Sequence, residues 1–240
     1  RWACAVALMA AVVARTEAEP QPTIEGELKQ WHTVTLTFHG PWASETDEDP
    51  DPFRDYRLVV VFRHESGDPV HRVPGYFAAD GRAAETSADR GDAWRVHFSP
   101  GKTGSWEWSV EFVRAQNAAA EDVAGEPVTP WHGRRGRLVV GPSDKVAPDL
   151  RARGRLVTTG TRYRRFAGDG TWFLKAGPDA PETLLAFADF DGTEARRSRA
   201  PLKSWSPHVR DWRPGDPTWQ GGRGKGLIGA LNYLSEAGVN

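Results

Sequence analysis

The chain has 240 residues, 39% of them hydrophobic, and its 31 basic and 32 acidic side chains leave a formal net charge of −1. That length suffices for one or two domains with a real core, and the cancelling charge gives no electrostatic reason to expect nucleic acid or an anionic membrane as partner. Eleven tryptophans are the unusual feature, ten of them between Trp31 and Trp219. An indole fills a β-sandwich core, and it also offers the flat apolar face on which a sugar ring stacks.

The first residue is Arg1, and Trp2 to Ala14 is an apolar run with a small-residue ending. This is the pattern of a secretory signal peptide, with cleavage expected after Ala14 or Ala18; a buried N-terminal helix is the alternative. The run is too short to span a bilayer. Residues 1–22 therefore read as a leader that closes in the acidic, Pro-rich Glu17 to Pro22. Cys4, the only cysteine, precedes most of the apolar run, so the mature protein is expected to carry neither thiol nor disulfide. That is compatible with a secreted or periplasmic bacterial protein whose core needs no staples.

From Thr23 the pattern turns to short alternating runs. Thr23 to Leu28, His32 to Phe38, Tyr56 to Arg63, Val70 to Val73 with Gly75-Tyr76-Phe77, Ala93 to Phe98, Trp106 to Phe112 and Arg137 to Val140 read as strands. Val34, Leu36 and Phe38 should face inward, as should Trp94, Val96 and Phe98, and Trp106, Trp108, Val110 and Phe112. Ala79-Asp80-Gly81 and Ser99 to Gly104 supply the turn residues that need positive φ. About seven strands with turns between them predict an antiparallel sandwich of immunoglobulin type over residues 23–141.

A Gly-Pro-Ser-Asp-Lys interruption near Gly141 to Pro148 marks a boundary. Beyond it, Arg153 to Thr158 and Arg162 to Phe166 read as a hairpin. Trp172 to Ala176 reads as a short buried strand and Gly226 to Leu234 as a helix with Leu227, Ile228, Leu231 and Leu234 on one face; Gly238 sits where a C-cap belongs. Strand, long loop and helix together predict one unit of a (β/α)8 barrel, so that residues 149–240 hold a hairpin and the incomplete start of such a barrel. The loop 177–225 would then lie on the catalytic rim. The fold class expected is mostly β, a sandwich followed by a truncated barrel.

The elements Asp51-Pro52-Phe53, Tyr56 to Phe62, Val73-Pro74-Gly75-Tyr76-Phe77, Trp94-Arg95-Val96-His97-Phe98-Ser99-Pro100 and Gly104-Ser105-Trp106 follow one another in a familiar order. Over roughly residues 24–115 the chain resembles the immunoglobulin-like N-terminal domain known as domain of unknown function 5060, with His97 standing where that family more often has arginine. In that family the sandwich commonly precedes a barrel similar to glycoside hydrolases, including apiosidase-like ones, and Tyr163 to Ala176 is similar to the entry into such a barrel. The resemblance implies a secreted enzyme acting on plant or algal polysaccharide.

Glycosidases usually use two carboxylates flanking the scissile bond. In barrels of the resembled kind that pair comes from later strands, so no catalytic residue is assigned here, and the chain by itself is expected to be an inactive N-terminal fragment. Substrate contact is expected instead from Asp179, Trp205, His208, Asp211, Trp212, Asp216 and Trp219, which combine hydroxyl-binding side chains with stacking faces. Two plainer readings stand beside this one: Asp179 with Glu182 has capping-box spacing, and the loop could simply pack on itself. The alternative functions are a non-catalytic carbohydrate-binding or cell-surface module and a structural spacer. Asp47-x-Asp49-x-Asp51 lacks the glycine and glutamate of a calcium loop, and Gly224-x-Gly226-x-x-Gly229 follows no strand. The seven histidines show no metal-ligand spacing, so neither cofactor nor metal is expected.

Overall fold

The computed structural model describes residues 19–177, 184, 186–190, 193 and 202–239. The expected cleavage sites and Asp179 lie outside them. Among the described residues nine strands precede residue 141: β1 (Thr23–Glu25), β2 (Val34–Ser44), β3 (Tyr56–His64), β4 (Val70–Pro74), β5 (Tyr76–Phe77), β6 (Arg90–Phe98), β7 (Gly104–Arg114), β8 (Glu126–Pro127) and β9 (Arg135–Val140). They form two antiparallel sheets. One runs β1-β2-β6-β5; in the other, β4-β3-β7, the far edge of β7 pairs with β9 along its first half and with β8 at its end. One short helix, α1 (Ala83–Thr86), interrupts the passage from β5 to β6.

The two sheets face one another across a single core because each long strand alternates with period two. Val34, Leu36 and Phe38 of β2, Trp94, Val96 and Phe98 of β6 and Trp106, Trp108, Val110 and Phe112 of β7 are all buried, as the sequence pattern predicts, and Leu58, Val60 and Phe62 of β3 join them. Rings from opposite sheets meet directly: Phe62 of β3 stacks on Phe98 of β6 at 3.9 Å, and Trp94 of β6 meets Phe112 of β7 at 5.0 Å. Close approach also explains a glycine. Gly136 lies across from Trp108 in the β7–β9 register, and a Cβ there would enter the indole. The strands run longer than their sequence signals because backbone pairing continues past the last inward side chain.

The alternation of β2 breaks at Gly40-Pro41-Trp42, where the register with β6 shifts between His39 and Ala43. A side chain at Gly40 would collide with Trp94 and Phe112. The irregularity turns Trp42 outward, 63% exposed, as bulges re-aim side chains. The freed carbonyls are used: the Trp94 indole N–H donates to Pro41 O (3.0 Å) and that of Trp131 to His39 O (2.6 Å).

Past the linker, β10 (Leu156–Thr158), β11 (Arg164–Phe166) and β12 (Trp172–Phe173) make a three-stranded antiparallel meander. The expected hairpin is present, while the expected buried strand differs. Only Trp172 and Phe173 are in strand, Phe173 turns toward buried Phe166, and Trp172 and Leu174 are 49% and 72% exposed. A central barrel strand is covered on both faces, whereas this one is covered on one. Among the described residues the strands pair antiparallel, and parallel pairing is confined to single bridges, Lys29 with Gly141 and Phe187 with Lys203. Trp31, from the β1–β2 connection, lies against Gly154 and Gly168 and so links the first sheet to the meander.

The final helix, α2 (Lys225–Glu236), forms where predicted, with Gly238 just past its C-cap at φ 81°. Its buried side differs from the leucine face read from the sequence. Gly226, Leu227, Gly229 and Ala230 are buried, while Leu231 is 43% exposed. The reason is backbone proximity. The chain at Ser204, Trp205 and His208 crosses so close to α2 that only glycine fits at positions 226 and 229. Among the described residues no helix is long and apolar enough to cross a membrane.

Candidate functional site

Two of the described loop candidates, His208 and Asp211, lie on a 3-10 turn, Ser206–Asp211, laid across α2, and Trp205 and Trp212 flank it. His208 Nδ1 is 2.9 Å from Asp211 Oδ2, and the His208 ring lies 4.9 Å from that of Tyr233. Asn232 of α2 donates from Nδ2 to Asp211 O (2.9 Å) and to Asp216 Oδ2 (2.7 Å). The Arg213 backbone N–H donates to that same Asp216 oxygen (2.7 Å). The Arg213 N–H first, and the Asn232 amide second, hold the Asp216 carboxyl below the usual carboxylate range. It is therefore ionised at neutral pH and unsuited to deliver a proton. Lys225 Nζ sits 4.4 Å above the Trp212 ring, covering one indole face. His208, Asp211, Trp212 and Asp216 thus form one cluster whose polar atoms largely serve the loop's own packing.

Trp205 stands apart. It begins the 3-10 turn in a left-handed backbone conformation, φ 53°, uncommon for a bulky side chain. Its indole nitrogen is buried and has no hydrogen-bond partner among the described residues.

Trp219 belongs to a second cluster with residues the sequence reading did not single out. Its ring stacks on Phe190 (5.6 Å, 20° between planes) and meets Phe187 edge-on (6.0 Å). The indole N–H donates to Asp189 O (3.3 Å), while Asp189 Oδ2 accepts from Gly224 N (2.9 Å). A Cβ at Gly224 would collide with the Trp219 ring, so the left-handed glycine there also makes room for the indole. The next residue, Gln220, reaches across to α1: its N–H donates to Glu85 Oε2 (2.8 Å) and its Nε2 to Ser87 Oγ (2.5 Å). An apolar cleft of about 330 Å³ opens here, lined by Ala84, Phe190, Trp219 and Gln220. The cleft presents an aromatic pair at its wall, with Gln220, already bonded to Glu85 and Ser87, as its polar lining residue, so what it offers a ligand is chiefly a stacking face. Nothing in the Phe187-Ala188-Asp189-Phe190 string marks it in the sequence, and its partner α1 lies about a hundred residues away.

A wider cleft, about 1120 Å³, lies at one end of the sheets and includes Asp49, Arg54, Asp55 and Glu126. Its most buried carboxylate is fully engaged. Asp55 accepts from Arg54 Nε (2.9 Å) and Nη2 (3.1 Å), from Asp51 N (3.0 Å) and from Asn117 N (3.1 Å). The Arg54 guanidinium first, then those backbone N–H groups, hold its carboxyl far below the usual range. It is a structural tie between the β2–β3 loop and the segment after β7. Because its folded pKa lies below the unfolded value of about 3.9, the stabilisation is complete above that pH and is lost as pH falls toward the folded value. Asp55→Asn should therefore lower the urea midpoint clearly at neutral pH, and the gap to the parent protein should narrow at about pH 3. A gap independent of pH would show that the charge of Asp55 does not contribute.

Residues 27–113 match the family described as "Domain of unknown function (DUF5060)". The match lies within the stretch on which the sequence resemblance rests. Its departure, His97, is an outward cross-strand link, with Nδ1 2.9 Å from Thr35 Oγ1 and Nε2 2.8 Å from the Tyr76 hydroxyl. No curated protein matches the chain. Among solved structures, a protein from Bacteroides vulgatus ATCC 8482, provisionally assigned as a glycoside hydrolase, is similar at TM-score 0.40 and 18% identity, over 65% of this chain and 25% of that one. The chain thus spans a quarter of that protein's length, and a likeness at this level carries no functional argument. The family match over residues 27–113 is the firmer finding, and it names a domain whose function is unknown.

Proposed function

We propose that this chain is the N-terminal part of an exported, secreted or periplasmic, carbohydrate-active protein, and that the cleft beside Phe190 and Trp219 contacts sugar. In this reading the sheets β1-β2-β6-β5 and β4-β3-β7-β9 form an immunoglobulin-like sandwich, supported by a strand order equivalent to A-B-E-D facing C′-C-F-G. The segment after the linker opens a glycosidase-like (β/α)8 barrel whose catalytic carboxylates come from strands other than those described. The observation that carries the sugar reading is the stacked Phe190–Trp219 pair at the wall of a cleft that Ala84 and Gln220 also line, Gln220 being held by Ser87 and Glu85. The leader-like composition of residues 1–22 supports export.

A second reading, a binding module that uses the sandwich surface, is favoured by Trp42 and Phe53, which are 63% and 54% exposed. Electrophoresis through gels cast with plant and algal polysaccharides separates the two. Trp219→Ala and Phe190→Ala should abolish retardation that Trp42→Ala and Phe53→Ala leave intact, with near-ultraviolet circular dichroism checking the fold of each. The reverse pattern would move the site to the sandwich. Retardation untouched by all four substitutions, or none for the parent protein, would leave the spacer reading.

A further inference from the structure

The β1–β2 connection and the linker after β9 meet at one point. Gln30 N donates to Gly141 O (2.8 Å) and Gly141 N to Leu28 O (2.9 Å), pinning the two segments side by side. Two side chains of the β1–β2 connection and one from the linker more than a hundred residues on converge there: Glu27, His32 and Asp144 each offer one ligand atom, all within 4.8 Å of one another.

The imidazole makes this more than a surface acidic pair. His32 is 2% exposed. Its Nδ1 lies 2.9 Å from Gln30 O, and since a carbonyl only accepts, Nδ1 carries a proton and in the neutral ring the lone pair is on Nε2. Nε2 is buried, has no hydrogen-bond partner and faces Asp144 Oδ1 at 3.9 Å. An acceptor aimed at a carboxylate gains nothing, and burying it unpaired is costly. A divalent cation between them would satisfy both, and an imidazole whose other nitrogen donates to a backbone carbonyl is oriented as metal-binding histidines are.

The Lys29 ammonium donates to Asp144 Oδ2 (2.6 Å) and to Glu27, and Lys145 Nζ lies 3.4 Å from Glu27 Oε1 and 3.5 Å from Asp144 Oδ1. A metal ion has to displace Lys29. Zinc-ligand distances of about 2.0–2.2 Å also require the carboxylates to close by roughly 1 Å, which the exposed Asp144 and Glu27 side chains can do.

We propose that Glu27, His32 and Asp144 form a divalent-cation site of zinc type, which clamps the linker onto the first sheet. The nitrogen-plus-carboxylate donor set favours zinc over calcium or magnesium, which take all-oxygen shells. The sequence carries no sign of it, because positions 27, 32 and 144 have no motif spacing and only the fold brings them together.

Equilibrium dialysis of the whole chain against Zn²⁺, with Ca²⁺ in parallel, tests it. The parent protein should bind zinc at this site. Asp144→Asn and His32→Gln should each weaken that binding more than about tenfold, and Lys29→Met, which removes the competing ammonium, should tighten it. Asp144 lies on the exposed linker, so its variant decides the matter if His32→Gln fails to fold. Equal zinc uptake by the parent and Asp144→Asn would overturn the proposal, as would no uptake by both the parent and Lys29→Met. Calcium held in preference to zinc would overturn the assigned cation class.

Discussion

Trp94→Ala is expected to destabilise the protein by about 3–5 kcal/mol, the range for removing a fully buried aromatic side chain. Trp94 is 1% exposed, and its ring touches Tyr56 (5.0 Å), Phe77 (5.3 Å) and Phe112 (5.0 Å), so it joins strands of both sheets. The cavity left by alanine would lie where β3, β5, β6 and β7 converge. The Pro41 carbonyl would also lose its donor just where β2 is irregular and depends on that bond. Against a total stability of about 5–15 kcal/mol for a typical domain, this is enough to leave a marginal protein largely unfolded at growth temperature. Trp94→Phe keeps most of the apolar volume and should lose about 1–2 kcal/mol, chiefly through the unpaired carbonyl. Urea titration followed by circular dichroism reads both. Similar midpoints for the two variants would show that the hydrogen bond matters more than the packed ring.

Gly229→Ala offers a test in which two effects have opposite signs. In an exposed helix interior, alanine is favoured over glycine by about 1 kcal/mol. Here the new methyl would run into the His208 carbonyl oxygen and stand 3.0 Å from Trp212 N, both backbone atoms that cannot rotate away. The collision should dominate, costing about 1–3 kcal/mol as overpacking does. The 3-10 turn would lift from α2 and loosen the Asn232 bonds to Asp211 and Asp216. Faster hydrogen exchange of the α2 amides in Gly229→Ala is the expected result. Slower exchange would mean that the helix and the turn do not approach as described.

The inward residues of β2, β6 and β7 were legible from alternation alone, because one-sided burial forces a period of two and chemistry follows it. Features set by partners remote in sequence were not. The outward turn of Trp42 depends on how Gly40 passes Trp94 and Phe112, and the buried side of α2 is chosen by where residues 204–208 cross it, so Leu227 is buried as predicted but beside Gly226, Gly229 and Ala230 rather than Leu231. The candidate site was half legible. Trp219 stood out as a tryptophan in a long loop, but the loop candidates separate into two clusters, and the aromatic that completes the Trp219 platform, Phe190, carried no signal of its own. Glu85 and Ser87 contribute only because Gln220 reaches α1. The same limit hid Glu27, His32 and Asp144.

Hydrogen exchange read by mass spectrometry, with the chain alone and with mixed plant and algal oligosaccharides, tests the sugar-contact claim most directly. The account predicts slowed exchange at residues 84–87, 187–190 and 218–221 together, since the cleft is built from all three segments, and no change around residues 40–53. Protection confined to residues 40–53, or no protection anywhere, would contradict it.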